Sequence, residues 1–585
     1  MTELLTGLAL NPGMLLIAAG IIVALLPGRQ VRAIASLVAV GAAWALLASY
    51  GSAPMEAPVL AGQGSLFGFE LTSVRIDRLS VLFSTLFLIA AALNAIYGWL
   101  HATRLEASMG LIYAGAAIGG VLAGDLLTLF IFWELAALSS VFIVWGGGTH
   151  AAFKAGMRYL VIQVGSGMAL ISGIALMAAT GGDLAFTAMS LTDEAGALNL
   201  PVLLIFIAFG VKAAFPVLHF WLPDAYPRAS AVGAVMLSAF TTKMAIYALV
   251  RGFPGEDILM VIGAAMAVIF IFFGAAASDL RRVLAYSLNS QLGFMVCAVG
   301  IGSDLALNGA VAHAFASVIY KGMLFMAMGA VLTRAGTMRA GELGGLYRAM
   351  PLTAVIAFIG AMTITGVPFF AGFVTKSMTI SAAGYYEHLF VWLALIVATV
   401  GAVQNIGVRI FFNTFLGPRT TAAKVSGDAP LPMLVAMGLA AAICFIVGLQ
   451  PNLLWSMLPF DYEYHAYTTD HLITQMQLIL FSILLFALAQ KAGLASTPRD
   501  GALVDIDWVY RVPGRVVLMG LVHGTAAVWH RVWWGIQAGV KGVVKGLYNT
   551  HGPEGALSRS WPVGFMALFT ALVLGLMLIV TFIAY

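Results

Sequence analysis

Charge is what this sequence has least of: Asp, Glu, Lys and Arg together make up 9% of 585 residues, where soluble globular chains carry about 25%. Apolar side chains supply 61% and the mean hydropathy is +0.99. That balance excludes a soluble enzyme of this length and leaves a polytopic membrane protein. Cysteine is nearly missing as well. Cys297 and Cys444 both fall in apolar runs with no CxxC or other ligand spacing, which argues against iron–sulfur, haem-attachment and disulfide frameworks. None of the ten histidines forms an HExxH-type pair, so no metal and no cofactor are expected. A GxxxxGK[ST] loop is also lacking, so nucleotide hydrolysis is not expected to drive the chain directly. No basic run interleaved with aromatics points to nucleic acid. The opening MTEL has no basic n-region, so the first apolar segment is expected to be a retained span.

What the sequence does hold is long apolar runs. At 1.5 Å per residue about 20 of them cross a hydrocarbon layer of about 30 Å. The runs predict about sixteen spans, near 13–27, 32–49, 79–100, 108–124, 126–146, 156–180, 200–221, 229–250, 258–278, 283–302, 305–333, 351–381, 388–417, 430–449, 471–490 and 561–584. Alternation then sorts the basic residues: 21 of 29 fall on one side, 3 (Arg75, Arg78, Arg251) on the other, and 5 lie within spans. Such asymmetry marks the rich side as cytoplasmic and puts both termini outside.

The five in-span basic residues are Lys212, Lys243, Lys321, Lys376 and Arg409, and the one acid so placed is Glu134, in LLTLFIFWELAALSSVFIVW. A carboxylate at mid-bilayer costs about 2.5–3.5 kcal/mol even on lenient scales, so it needs a partner, a wet cavity or a proton. In IAFGVKAAFPVLHFWLP, Pro216 deletes the amide that would bond the carbonyl of Lys212, so the helix is expected to break beside the lysine. TITGVPFFAGFVTKS repeats the pattern with Pro368, Gly366, Gly372 and Lys376. Either break alone reads equally as a tolerated kink; a lysine beside each favours discontinuous helices that line an ion site. His313, Ser317 and Lys321 stand at i, i+4 and i+8, one helical face. Lys243, about two turns from a basic helix end, also fits a snorkelling lysine. His219 lies beyond the kink, seven residues past Lys212. Burial and ion pairing push lysine and glutamate protonation in opposite senses, so making or breaking a pair switches the charge state. Four lysines against one acid cannot all be paired with acids, which is the composition of a proton relay.

FIFWEL, FGVKAAFPVLHFWLPDAYP, DLRRVLAYSLNSQLG and GVPFFAGFVTKS closely resemble the antiporter-like subunits shared by respiratory complex I, membrane-bound hydrogenases and Mrp-type cation/proton antiporters, over roughly residues 70–420. The resemblance implies an all-α polytopic membrane fold with two inverted five-helix repeats, each holding a broken helix. It makes Glu134 and Lys212 the ion pair, Lys243 the central lysine and Lys376 the terminal lysine, with His313 and Lys321 linking the halves. PRASAVGAVMLS after WLPDAY departs from the family pattern, which leaves that loop's geometry open.

Taking Arg515 as zero and about 100° per residue, His523, His530, Arg531, Lys541 and Lys545 share one face, with Trp529, Trp533 and Trp534 suited to an interface. This predicts an amphipathic helix on the cytoplasmic surface, too basic to span, followed by a last span. The order resembles the lateral helix of the longest complex I antiporter-like subunit. The expected divisions are 1–107 (N-terminal spans and external loop), 108–251 and 252–420 (the repeats), 421–492 (further spans), 493–560 (linker and lateral helix) and 561–585 (last span). The expected role is the proton-conducting subunit of a multisubunit Na+ or K+/proton antiporter in a bacterial plasma membrane, beside other membrane subunits. The alternative is the pump arm of a redox-driven complex; a stand-alone solute carrier lacks a substrate-sized polar set. Neither leading assignment places redox chemistry in this chain.

Overall fold

A computed structural model describes residues 11–66, 68–193, 195–418, 425, 427–493, 505, 507–555, 559 and 562–584. Arg419, Lys424 and Arg499 of the basic-residue count lie outside them, as do parts of the linker expected within 493–560. Two compact units divide the chain, Met1–Asp505 and Ile506–Tyr585.

In the first unit, α1 (Pro12–Leu25) and α2 (Arg29–Tyr50) precede a two-stranded antiparallel hairpin, β1 (Val59–Leu66) and β2 (Phe69–Ile76). The expected external loop is therefore ordered as a ribbon. Then come α3 (Arg78–Tyr97), α4 (Arg104–Val121), α5 (Leu126–Trp145), α6 (His150–Ala179), α7 (Leu200–Lys212), α8 (Trp221–Ala225), α9 (Ala231–Ala239) and α10 (Thr241–Gly252). These are followed by α11 (Asp257–Ala276), α12 (Leu280–Ile301), α13 (Asp304–Ala335), α14 (Pro351–Thr365), α15 (Ala371–Tyr385), α16 (Leu389–Ala402), α17 (Leu431–Leu449), α18 (Asn452–Trp455) and α19 (Thr469–Lys491). A π-helical turn, Val403–Ile410, continues α16. Each of the sixteen expected spans has helix over it. Thirteen helical segments among the described residues are long and apolar enough to cross a membrane, Arg511–His551 included, while Pro12–Leu25, Leu200–Lys212 and Pro351–Thr365 are shorter apolar helices.

Side chains start these helices. Asp77 and Ser80 form a reciprocal capping box at α3, Thr103 and Glu106 another at α4, and Ser230 and Ser303 cap α9 and α13, satisfying amides that no lipid could. Asp125 caps α5 through Thr128 N (2.7 Å) and accepts from Thr72 N (2.9 Å), tying the ribbon to the helix end.

Helices meet closely where small residues face each other, as expected when packing and not hydrophobicity drives association. A Cβ added at Gly263 would lie 2.3 Å from Cys297 N, and one at Gly293 would lie 2.4 Å from Ala267 N, so α11 and α12 touch backbone to backbone. Their contact is fastened by Ser290 Oγ donating to Ala267 O at 2.8 Å. At the centre, α12 and α13 are buried nearly along their whole length. A helix buried all round in a membrane bundle has no need of lipid-facing apolar surface, and these two carry His313, Lys321, Ser287 and Gln291.

Arg409 proves to be a cap. Its guanidinium donates to Ala275 O (2.8 Å) and Ala277 O (2.7 Å) at the end of α11, away from the other in-span cations' partners.

In the second unit, α20 (Arg515–His551) is a 37-residue helix and α21 (Val563–Ala584) a 22-residue one. Neither has a buried residue, so their apolar surface is unpartnered within the unit.

Candidate functional site

Both proline breaks form. In the first, α7 ends at Lys212 itself and regular helix resumes at Trp221. The carbonyl of Val211, which accepts from Ala214 N at 3.2 Å, also accepts from Trp221 Nε1 at 3.0 Å, so a side chain reaches across the gap. In the second, α14 ends at Thr365 with Gly366 in the left-handed region, and α15 begins at Ala371. There the freed carbonyls are claimed by polar side chains: Lys376 Nζ donates to Ile364 O (2.8 Å) and Gln475 Nε2 to Thr365 O (2.9 Å).

Strain collects at these gaps. Of the four non-glycine residues with positive φ among the described residues, three lie in the breaks: Ala214 (60°) and Val217 (74°) in the first, Phe369 (75°) in the second. A left-handed residue costs roughly 1–2 kcal/mol, and a β-branched one is an outlier. Strain of this kind gathers where a site over-determines the backbone.

Glu134 and Lys212 stand on α5 and α7, each packed against α6. Lys212 is wholly buried, donates to Trp133 O, the carbonyl of the peptide bond leading into Glu134, and lies over the Trp133 ring at 4.3 Å from its centroid. The two charges act on each other electrostatically but make no direct ion pair. Glu134 instead presses on Gly167 of α6, where an added Cβ would fall 1.8 Å from Oε1. That arrangement is held by Trp133 Nε1 donating to Ser166 Oγ (3.1 Å), which donates on to Ala208 O (2.8 Å), linking α5, α6 and α7. The pair is therefore open, two charges that interact without a direct contact.

Lys243 occupies a third discontinuity that carries no proline or glycine. Between α9 and α10, Tyr113 Oη from α4 accepts from Thr241 N (3.0 Å) and bonds Thr241 Oγ1 (2.5 Å), a side chain inserted into the helix ladder. The Ser238 carbonyl then receives Lys243 Nζ at 3.1 Å. So the lysine is anchored at a helix break and does not snorkel.

His313 is the junction. Its Nδ1 meets Thr375 Oγ1 at 3.3 Å on α15, and its Nε2 meets Gln291 Oε1 at 3.2 Å on α12, which also accepts from Tyr320 Oη at 3.3 Å. Thr375 precedes Lys376. Two turns along α13 from His313, Lys321 Nζ bonds Ser287 Oγ, one turn before Gln291 on α12. Lys243, Lys321 and Lys376 all lie within electrostatic range of His313. The structure therefore brings Lys243, His313, Lys321 and Lys376 into one cluster and Glu134 with Lys212 into another. No hydrogen-bond chain among the described residues joins Lys212 to Lys243.

Beside Lys376 opens a cavity of about 340 Å3, whose polar lining includes Ser377, Ser381, Asp470, His471 and Gln475. Gln291, Ser287 and Thr375 escaped the sequence reading. Ser287 and Gln291 sit at i and i+4 in the quoted SLNSQLG, which is the signal that could have found them.

Residues 123–401 match the family described as NADH:quinone oxidoreductase/Mrp antiporter, TM. Over 356 residues the chain is 30% identical to an Na+/H+ antiporter subunit of Alkalihalophilus pseudofirmus, covering 57% of this chain and 72% of that one. It is 26% identical over 442 residues to hydrogenase-4 component B of Escherichia coli, covering 69% of this chain and 66% of that one. The matched stretch thus spans about two thirds of these relatives' own length. In fold, a chain of the Mrp complex from Dietzia sp. DQ12-45-1b superposes with a TM-score of 0.70 at 22% identity, over 82% of this chain and 99% of that one. A chain of the membrane-bound sulfane sulfur reductase, an archaeal respiratory membrane complex, superposes at 0.67 and 20% identity, over 97% and 99%.

Proposed function

This chain belongs to the NADH:quinone oxidoreductase/Mrp antiporter family of multi-pass membrane proteins, and from that premise we propose that it conducts protons within a multisubunit Na+ or K+/proton antiporter. The route runs laterally, from Glu134 and Lys212 through Lys243 to His313, Lys321 and Lys376. One observation carries it: His313 ties Gln291 on α12 to Thr375 on α15, one residue before Lys376, so a polar thread leads from the centre of the bundle to the second break. Proton transfer needs hydrogen-bond reach of about 3 Å or one intervening water. The contacts of His313 with Gln291 and Thr375 meet that requirement, and the gaps from Lys212 to Lys243, from Lys243 and Lys321 to His313, and from Thr375 to Lys376 require water. The cavity beside Lys376 supports exchange there with the outside or with the next subunit.

The repeats in this account are 108–251 and 252–420, the membrane is a bacterial plasma membrane, and the basic loops face the cytoplasm with both termini outside. The second assignment, a pump arm of a redox-driven complex, draws on the likeness to hydrogenase-4 component B. Small antiporter subunits copurifying with the chain, identified by mass spectrometry, support the first; iron–sulfur or nickel subunits support the second. The relay itself is tested by Glu134→Gln in membrane vesicles. Proton-coupled transport is lost while the complex still assembles; wild-type transport in that variant contradicts the relay, and loss of assembly assigns Glu134 a structural role.

A further inference from the structure

Two buried acids lie near the first break: Asp224, paired with Arg158 and Arg228, and Asp505. Asp505, which the sequence assigns to the cytoplasmic linker, is 5% exposed. It is the last residue of the first unit and comes ten positions before α20 begins at Arg515. Its Oδ1 and Oδ2 lie 3.2 and 3.3 Å from Nε2 of His219, and Oδ2 accepts from Tyr286 Oη at 2.5 Å. His219 belongs to the irregular stretch between α7 and α8, wholly buried, its ring 4.4 Å from that of Phe270 and stacked on Phe273. Phe273 also packs on Tyr286. The other nitrogen of His219, Nδ1, is buried without a protein partner.

The depth is on the side of the basic loops. Tyr286 is six residues into α12, about 9 Å along the axis from Leu280. At the start of that helix Arg281 donates to Tyr226 O, Ala229 O and Ser230 O in the turn after α8.

We propose that Asp505 is a proton-loading residue, which passes protons arriving from the cytoplasmic side to His219 beside the first break. This rests on the relay reading above and extends it by an entry point. In the step, the proton on the Asp505 carboxyl moves to Nε2 of His219, leaving a carboxylate and an imidazolium; the proton on Nδ1, which has no protein partner, then passes to water in the break, leaving a carboxylate and a neutral ring protonated on Nε2. No contact breaks in the transfer itself; the ring is left with its proton on Nε2 and reorients to regain a proton on Nδ1 before the next transfer, breaking its bond to Asp505 once per cycle. Tyr286 donates to the carboxyl oxygen in both states, and the His219–Asp505 hydrogen bond persists with its donor and acceptor exchanged. A purely structural anchor needs only acceptor oxygens, which an asparagine also has. A buried pair enclosed by aromatic rings and left with one unpartnered ring nitrogen has the form of a relay station.

The test compares Asp505→Asn, Asp505→Glu, His219→Gln and Glu134→Gln in the whole complex, in vesicles, as proton-coupled transport per assembled complex. Asp505→Asn and His219→Gln are each expected to slow transport at least about 10-fold, the low end of what a positioned proton-transfer group contributes. Asp505→Glu recovers most of it, and the Asp505→Asn, His219→Gln double variant is no slower than the worse single one, because the pair acts as a unit. Wild-type transport in Asp505→Asn, with Glu134→Gln inactive, overturns the proposal and leaves the relay standing. Wild-type transport in Glu134→Gln removes the relay and this entry point with it. If Asp505→Asn does not assemble, His219→Gln decides: slowed transport supports loading and wild-type transport refutes it.

Discussion

At the scale of the residue, the charges were legible and their hydrogen-bond partners were not. A lysine or glutamate inside an apolar span costs enough to announce itself. Gln291 and Thr375 are cheap residues in a helix bundle, and only the approach of α12, α13 and α15 around His313 makes them a thread. Glycine at 167 is likewise silent in sequence, yet it makes the room in which Glu134 lies unlatched from Lys212. Gly167→Ala places a methyl carbon 1.8 Å from Oε1 of Glu134, so the carboxylate has to move. The expected result is assembly at wild-type level with proton-coupled transport reduced at least about 10-fold, since a misplaced relay group of this kind costs about 10- to 100-fold or more. Transport at the wild-type rate would mean that the position of Glu134 does not matter.

At the scale of the element, the two breaks at Pro216 and Pro368 could be read because proline removes an amide wherever it sits. The third could not. Its cause, Tyr113 from α4 reaching into the ladder at Thr241, is a tertiary contact without a local signature. The ordered ribbon Val59–Ile76 was also hidden, because its pairing is fastened from outside by Asp125. The strain in the first break gives a stability prediction. Ala214 has φ 60° and is wholly buried. Glycine there removes a penalty of roughly 1–2 kcal/mol and adds roughly 0.5–1 kcal/mol of unfolded-state entropy. Ala214→Gly should therefore stabilise the purified complex by up to about 1 kcal/mol, seen as a higher thermal midpoint than wild type. A lower midpoint would show that the left-handed backbone there is not strained.

At the scale of the whole molecule, the helical class and the order of the apolar helices followed from apolar runs, because lipid leaves helices as the way to satisfy backbone groups; the count did not, since thirteen described segments are long and apolar enough to cross, Arg511–His551 among them, against about sixteen expected. Where buried charge locks the bundle did not follow. Arg251, counted by sequence as an outside loop residue, is 5% exposed and bonds Asp77 with both oxygens within 2.9 Å, while Arg75 and Tyr247 share the site. It joins the end of α10 to the start of α3. Breaking a buried pair by removing one partner costs about 3–5 kcal/mol, so Arg251→Ala should lose most assembled complex. Removing Asp461, the 89%-exposed partner of Arg78, should cost under about 1 kcal/mol and leave the yield unchanged. Equal yields from the two variants would deny Arg251 a locking role.

The lateral route is the claim on which the rest depends, and transport by Lys321→Ala and Lys376→Ala in the assembled complex tests it most directly. Lys376 reaches back across the second break to Ile364 O and borders the cavity, so its loss interrupts the route where it meets that cavity. Lys321, next to Tyr320, bonds Ser287, one turn before the Gln291 that Tyr320 meets, so water and hydroxyls can replace it in part. Lys376→Ala should lose about 100-fold or more in proton-coupled transport and Lys321→Ala about 10-fold. Full activity in both variants would contradict the lateral route.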